Sequence, residues 1–109
     1  MSCMVGEFPV SSARLNNVDK ACLDDVVQRL KADPRAHVVV IGHADAEERS
    51  ANMLSRDRAR AVQEYLAQES GVDSYRIKVR AMGASASVDE MNSRRCEVWF
   101  VPEGASDPS

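Results

Sequence analysis

Aromatic side chains are scarce in this chain, with two Phe, two Tyr and one Trp among 109 residues. Platforms that stack unpaired bases need several such rings, so this poverty argues against single-stranded nucleic acid. Positive charge is short as well. Fourteen Lys and Arg stand against seventeen Asp and Glu, a net charge of −3 that speaks against holding a phosphate backbone. The basic residues, among them Arg35, Arg49, Arg56, Arg60 and Arg76, are scattered and mostly have acidic neighbours. No nucleic-acid partner is expected. Apolar runs nowhere approach the roughly 20 residues that cross a bilayer. The N-terminus lacks a basic region followed by an apolar core, so no signal peptide is visible. The three cysteines, Cys3, Cys22 and Cys96, lack the C-x-x-C spacing of a zinc site or a thiol oxidoreductase. No P-loop, dinucleotide fingerprint or nucleophile elbow is present, and no cofactor or metal is implied.

What remains is an ordinary globular composition, 44% hydrophobic and 28% charged, long enough for one self-sufficient core. A first strand is expected over residues 4–10, with Phe8 as its core residue and Pro9 marking an edge or an end. Ser11 and Ser12 make a polar turn. A helix is expected from about 17 to 32, capped by Asn16 or Asn17. Its apolar stripe is Val18, Cys22, Leu23, Val26, Val27 and Leu30. Asp33 and Pro34 stop it. A strand at 75–82 alternates Ile77, Val79 and Ala81 with Arg76, Lys78 and Arg80, which predicts one buried and one polar face. Residues 83–92 read as a loop, and the last strand runs from about 95 to 101. The domain is expected over residues 1–102, followed by a flexible tail at 103–109. The order β-α-β-α-β-β predicts an α+β, two-layer sandwich: two helices on a four-stranded mixed sheet whose other face is partly wet.

The stretch from His37 to Leu66 organises this arrangement. Val38, Val39, Val40 and Ile41 are apolar at consecutive positions, which suits a central strand covered on both faces. Gly42 and His43 end the strand, and Asp45 lies just beyond its C-terminal end, the edge where open sheets usually bind ligands. The next helix, from about 48 or 50 to 68, turns Met53, Leu54, Ala61, Val62, Tyr65 and Leu66 inward. It also returns Arg58 towards Asp45. Ammonium pairs with a carboxylate and a carboxylate with the two-pronged guanidinium, so the two residues suit the ends of a zwitterion. The plainer alternative has Asp45 capping the helix and Arg58 solvated on it.

G-H-A-D followed by L-S-R-D-R-A-R-A-V resembles the G-H-T-D and L-S-x-x-R-A-x-x-V signature of OmpA-like domains. The likeness extends from F-P-V-S-S-A-R-L to S-R-R-C-E-V. The resemblance implies a non-catalytic module that binds the peptidoglycan stem peptide, with Asp45 and Arg58 gripping the amino-and-carboxylate end of diaminopimelate. It implies residence at the periplasmic face of the outer membrane. Contact with the membrane would come only through a parent protein or lipid anchor outside this chain. Secondary contacts would fall on Ser11, Ala44 and Asn52, each of which departs from the family pattern. Ala44 replaces the threonine of G-H-T-D, and Ser11 stands where many members carry aspartate. Asn52 is out of register with the family asparagine, and the turn after Asp45 is about two residues short.

Two rivals remain. The domain could be a degenerate member that serves protein–protein contact, such as a homodimer. It could also be a hydrolase built on His43 and Asp45, although no nucleophile or metal set accompanies them. Glu47 and Glu48 read as solvated charge. Arg94 and Arg95 read as structural partners of acidic residues, or with one of them near the ligand. Cys22 and Cys96 read as small buried hydrophobes, or Cys22 pairs with Cys3 in a disulfide that an oxidising periplasm permits.

Overall fold

The computed structural model describes residues 2–6, 8–84 and 93–108. Strand β1 (Cys3–Gly6) leads to helix α1 (Asn17–Ala32) and strand β2 (His37–Gly42). Helix α2 (Ala51–Glu64) follows and is extended by one π-helical turn, Tyr65–Glu69. A 3-10 turn precedes β3 (Ile77–Ala81), and β4 (Arg95–Val101) completes the sheet. The strand order is β1-β4-β2-β3, with β2 and β3 parallel and the other pairs antiparallel. This is the expected two-layer α+β sandwich with both helices on one face. The loop expected at 83–92 lies largely outside the described residues, at 85–92.

Pleating splits the apolar run of β2 between two cores. Val38 and Val40 face the helices and join Val5, Phe8, Leu23, Val26, Leu30, Val62, Leu66 and Val98. Val39 and Ile41 face the other way and pack with Val101 and Trp99. The second face is also roofed. Asp107 hydrogen-bonds Lys78 at 2.8 Å and pairs with His37, and Arg80 donates to the Pro108 carbonyl at 2.6 Å. Asp107 and Pro108 thus touch this face, while residues 102–106 are exposed. Lys78 and Arg80 of β3 and His37 of β2 make these contacts, while Arg76 instead donates to the Leu30, Asp33 and Ala36 carbonyls.

The caps explain where side chains depart from expectation. Asn16 caps α1 in a reciprocal box, accepting from the Asp19 N–H at 2.8 Å while the Asp19 carboxylate accepts from the Asn16 N–H at 3.0 Å. Asp19 is thereby buried, and Val18, expected in the apolar stripe, is left 78% exposed in the first turn. On α2 the inward face is Leu54, Ser55, Arg58, Ala59, Val62 and Leu66, at three- and four-residue steps. Met53, expected inside, is exposed.

Gly42 sets how closely α2 can lie on the sheet. A Cβ there would sit 2.0 Å from the Ser55 carbonyl oxygen, so only glycine allows the helix to cross the strand end at this height. Arg58, one turn further on, is then carried to the C-terminal edge of β2.

Cys3 and Cys22 are joined as a disulfide, with Cα atoms 5.9 Å apart and 19 residues of sequence separation. Cys96 is free and fully buried, and burial raises its thiol pKa. The bond staples the edge strand to α1. From the loop length, replacing both half-cystines by serine is expected to cost about 3 kcal/mol. Urea unfolding of the variant against the oxidised domain checks this, and equal midpoints would refute it.

Candidate ligand site at the end of the central strand

Residues 43–50 leave β2 and turn back before α2 begins. The His43 N–H donates to the Arg95 carbonyl at 2.9 Å and the Ala44 N–H to the Gly83 carbonyl at 2.9 Å, which fixes the start of the turn. The Asp45 carboxylate accepts from the Glu47 N–H at 3.1 Å, and the Glu48 N–H donates to the Asp45 carbonyl at 3.0 Å. Ser50 then adopts φ of +52°, a left-handed conformation that re-aims the chain into α2.

Arg58 is the largest fully buried side chain in the structure. Nε donates to the Ser12 carbonyl at 2.9 Å, and Nη1 to the His43 carbonyl at 3.1 Å and Glu48 Oε1 at 2.8 Å. Nη2 donates to the Pro9 carbonyl at 3.2 Å and to Glu48 Oε2 at 2.8 Å. A guanidinium has five N–H groups, and here the protein takes all of them. Phe8 lies with its ring centre 5.1 Å from the guanidinium carbon.

Glu48 mirrors this. Its two oxygens accept from both Arg58 amino groups, from the Asp45 N–H at 2.9 Å and from the Ser11 N–H at 2.8 Å. Burial by itself would raise the Glu48 pKa, but the bonds to Arg58, Asp45 and Ser11 outweigh it and bring the value down to about 2. The expectation of a solvated carboxylate is thus overturned. Its neighbour Glu47 is exposed, so residue type alone does not separate the two; the turn that returns the Glu48 N–H to the Asp45 carbonyl does.

Asp45 and Arg58 do meet at one strand end, but through Glu48, whose Oε1 accepts from the Asp45 backbone and the Arg58 side chain alike. The Asp45 carboxylate itself points elsewhere. It stands 3.6 Å from Arg94 Nη1, with side-chain exposures of 32% for Arg94 and 19% for Asp45, so an outside cation can still reach it. Arg94 is steadied by its Nε, which donates to the Phe8 carbonyl at 2.9 Å. Ser11 contributes its backbone N–H from a left-handed conformation, φ +58°. Ala44 is buried and acts through its main chain. Asn52 is exposed on α2, with its side-chain oxygen beside the Gly83 turn. A depression of about 190 Å³ adjoins the site, lined by Ser11, Arg49, Ser50, Met53, Leu54 and Asp57.

His43 is buried and its Nε2 pairs with Glu97 beneath the other face of the sheet, in a small cavity with Trp99 and Arg80. Its ring and the Asp45 carboxylate thus engage different partners, which removes the geometric basis for a hydrolase built on the two. Among the described residues no three His, Cys, Asp or Glu side chains gather as a metal site.

A depressed carboxyl pKa stabilises the fold above the unfolded value of 4.5, and that contribution fades as pH falls through the folded value of about 2. The difference corresponds to roughly 3 kcal/mol. The wild-type melting temperature is expected to fall more steeply between pH 4.5 and 2 than that of Glu48→Gln, which lacks the titrating group. Parallel melting curves for the two proteins would contradict the assignment.

A family model described as the OmpA family matches residues 7–97. Among solved structures the chain is similar to the peptidoglycan-associated lipoprotein from Burkholderia pseudomallei. That match has 24% identity and a TM-score of 0.81, and covers 89% of this chain and 88% of that one. It is similar to the C-terminal domain of Helicobacter pylori MotB at 20% identity and a TM-score of 0.78, covering 92% and 84% of the two chains. The OmpA-like domain of FopA1 from Francisella tularensis matches at 23% identity and a TM-score of 0.75, covering 95% and 74%. No curated protein matches the sequence.

Proposed function

The chain belongs to the OmpA family, and from that premise we propose that it is a non-catalytic wall-binding module of the cell envelope. Its ligand is the peptidoglycan stem peptide, and it takes the zwitterionic end of diaminopimelate at the C-terminal edge of β2. Through it a parent protein is tethered to the wall from the periplasmic side of the outer membrane.

One observation carries the reading. A carboxylate that solvent can reach, Asp45, borders a seat in which a guanidinium and two backbone N–H groups converge on carboxylate oxygens. The first suits an ammonium group and the second a carboxylate, and a zwitterion presents both at short range. The disulfide agrees with an oxidising compartment. Similarity to a structure named peptidoglycan-associated lipoprotein supports the same ligand.

A second reading has its own observation. Because protein acceptors take every N–H of Arg58, the domain could instead serve protein–protein contact, for instance as a homodimer, with no wall ligand. Co-sedimentation with purified diaminopimelate-type peptidoglycan separates the two. The wild-type domain is expected to pellet with the wall material, and Asp45→Ala to lose at least ten-fold in affinity, since the ammonium then has no counter-charge. Absence of wild-type binding together with a concentration-dependent dimer would replace the first reading by the second.

A further inference from the structure

The seat around Arg58 is built as a carboxylate receptor, and the carboxylate in it belongs to the chain. Four N–H groups converge on Glu48: two from Arg58 at 2.8 Å each, one from Ser11 at 2.8 Å and one from Asp45 at 2.9 Å. Such a bidentate, charge-assisted arrangement is how proteins hold the free carboxylate of a ligand. The two side chains are 0% and 2% exposed, so water does not compete for these bonds.

Glu48 differs from a permanent structural anion in where it stands. It sits in residues 45–50, an irregular turn between β2 and α2 that belongs to neither element. Arg58 is on a regular helix, and its Nε is tied separately to the Ser12 carbonyl. The guanidinium is thus held on a helix, while the carboxylate comes from a segment outside any helix or strand. A depression lined by Ser11, Arg49 and Ser50 lies beside the turn that carries Glu48.

We propose that Glu48 is a built-in competitor: it occupies the seat in the free domain, and a ligand carboxylate binds by displacing it. Two carboxylates cannot share one guanidinium fork without mutual repulsion, so occupancy is exclusive. The incoming group makes the same four hydrogen bonds that Glu48 gives up. Net affinity is then set by the difference between the two carboxylates and by what the rest of the ligand adds, including its ammonium on Asp45. In the free domain the buried guanidinium never lacks a counter-ion. This inference rests on the wall-binding reading for the identity of the ligand, but not for the existence of the seat.

The test uses the full chain and two probes. Removing the competitor in Glu48→Ala leaves four donors around an empty seat. Acetate is expected to raise the melting temperature of this variant by several degrees over chloride at equal ionic strength, and to leave wild type unmoved. Calorimetry with free meso-diaminopimelate is expected to show at least ten-fold tighter binding to Glu48→Ala than to wild type. If the alanine variant does not fold, Glu48→Gln, which fills the seat without charge, is expected to bind diaminopimelate more tightly than wild type by a smaller factor. Measurable and equal diaminopimelate binding by wild type and the folded variant, or a Glu48→Ala melting temperature indifferent to acetate, overturns the proposal. Acetate stabilisation with no diaminopimelate binding in any form keeps the self-occupied seat and instead defeats the wall-binding reading.

Discussion

The bidentate pair of Glu48 and Arg58 holds together segments that no strand or helix otherwise joins. Around the guanidinium are carbonyls of Pro9 and Ser12 after β1, the carbonyl of His43 at the end of β2, and the turn that opens α2. Dehydrating two charges is expensive, and their attraction repays it only with good geometry and saturated lone pairs. Both conditions are met, since the arginine donates five bonds and the glutamate accepts four. Losing either partner would strand the other without water, which in buried pairs costs about 3–5 kcal/mol.

The fold exists, in a sense, to bring this arginine to that place. Gly42 lets α2 descend until the Ser55 carbonyl rests over the strand end, and the helical repeat then sets Arg58 above the same edge. Ser11 and Ser50, both left-handed, bend the two neighbouring turns inward so that a backbone N–H and a carboxylate reach it. On the far side of the sheet Asp107 bridges Lys78 and His37, and the bond to Lys78, then that to His37, holds its carboxyl pKa below the usual range. The two faces of β2 therefore carry separate work, polar clamping of the terminal segment on one side and the helical core on the other.

Much of the framework was legible in the residues. Apolar spacing located α1, consecutive β-branched residues located β2, and Asn16, one of two cap candidates, is the residue that caps α1. The pairing of Cys3 with Cys22, one of two readings, is the one observed. The site was legible only in part. Local pattern places Asp45 and Arg58 at one strand end, but which acceptor a guanidinium takes depends on how a turn folds. Glu48 beside Glu47 looks like surface charge until its bonds to Arg58, Ser11 and Asp45 are seen. Burial of Asp19 is similar, since an aspartate in a first helical turn reads as solvated unless the reciprocal cap is recognised. The contacts of Asp107 and Pro108 were not legible because their partners, His37, Lys78 and Arg80, are distant in sequence and outwardly ordinary.

A pair of crystal structures, of the free domain and of the domain with meso-diaminopimelate, decides whether Glu48 gives way to a ligand. In the free form Glu48 is expected on both amino groups of Arg58. In the complex the ligand carboxylate is expected in that position, with Glu48 turned out of the seat and the ligand ammonium on Asp45. An Arg58 open to solvent in the free domain, or a bound ligand with Glu48 still on the guanidinium, would contradict this.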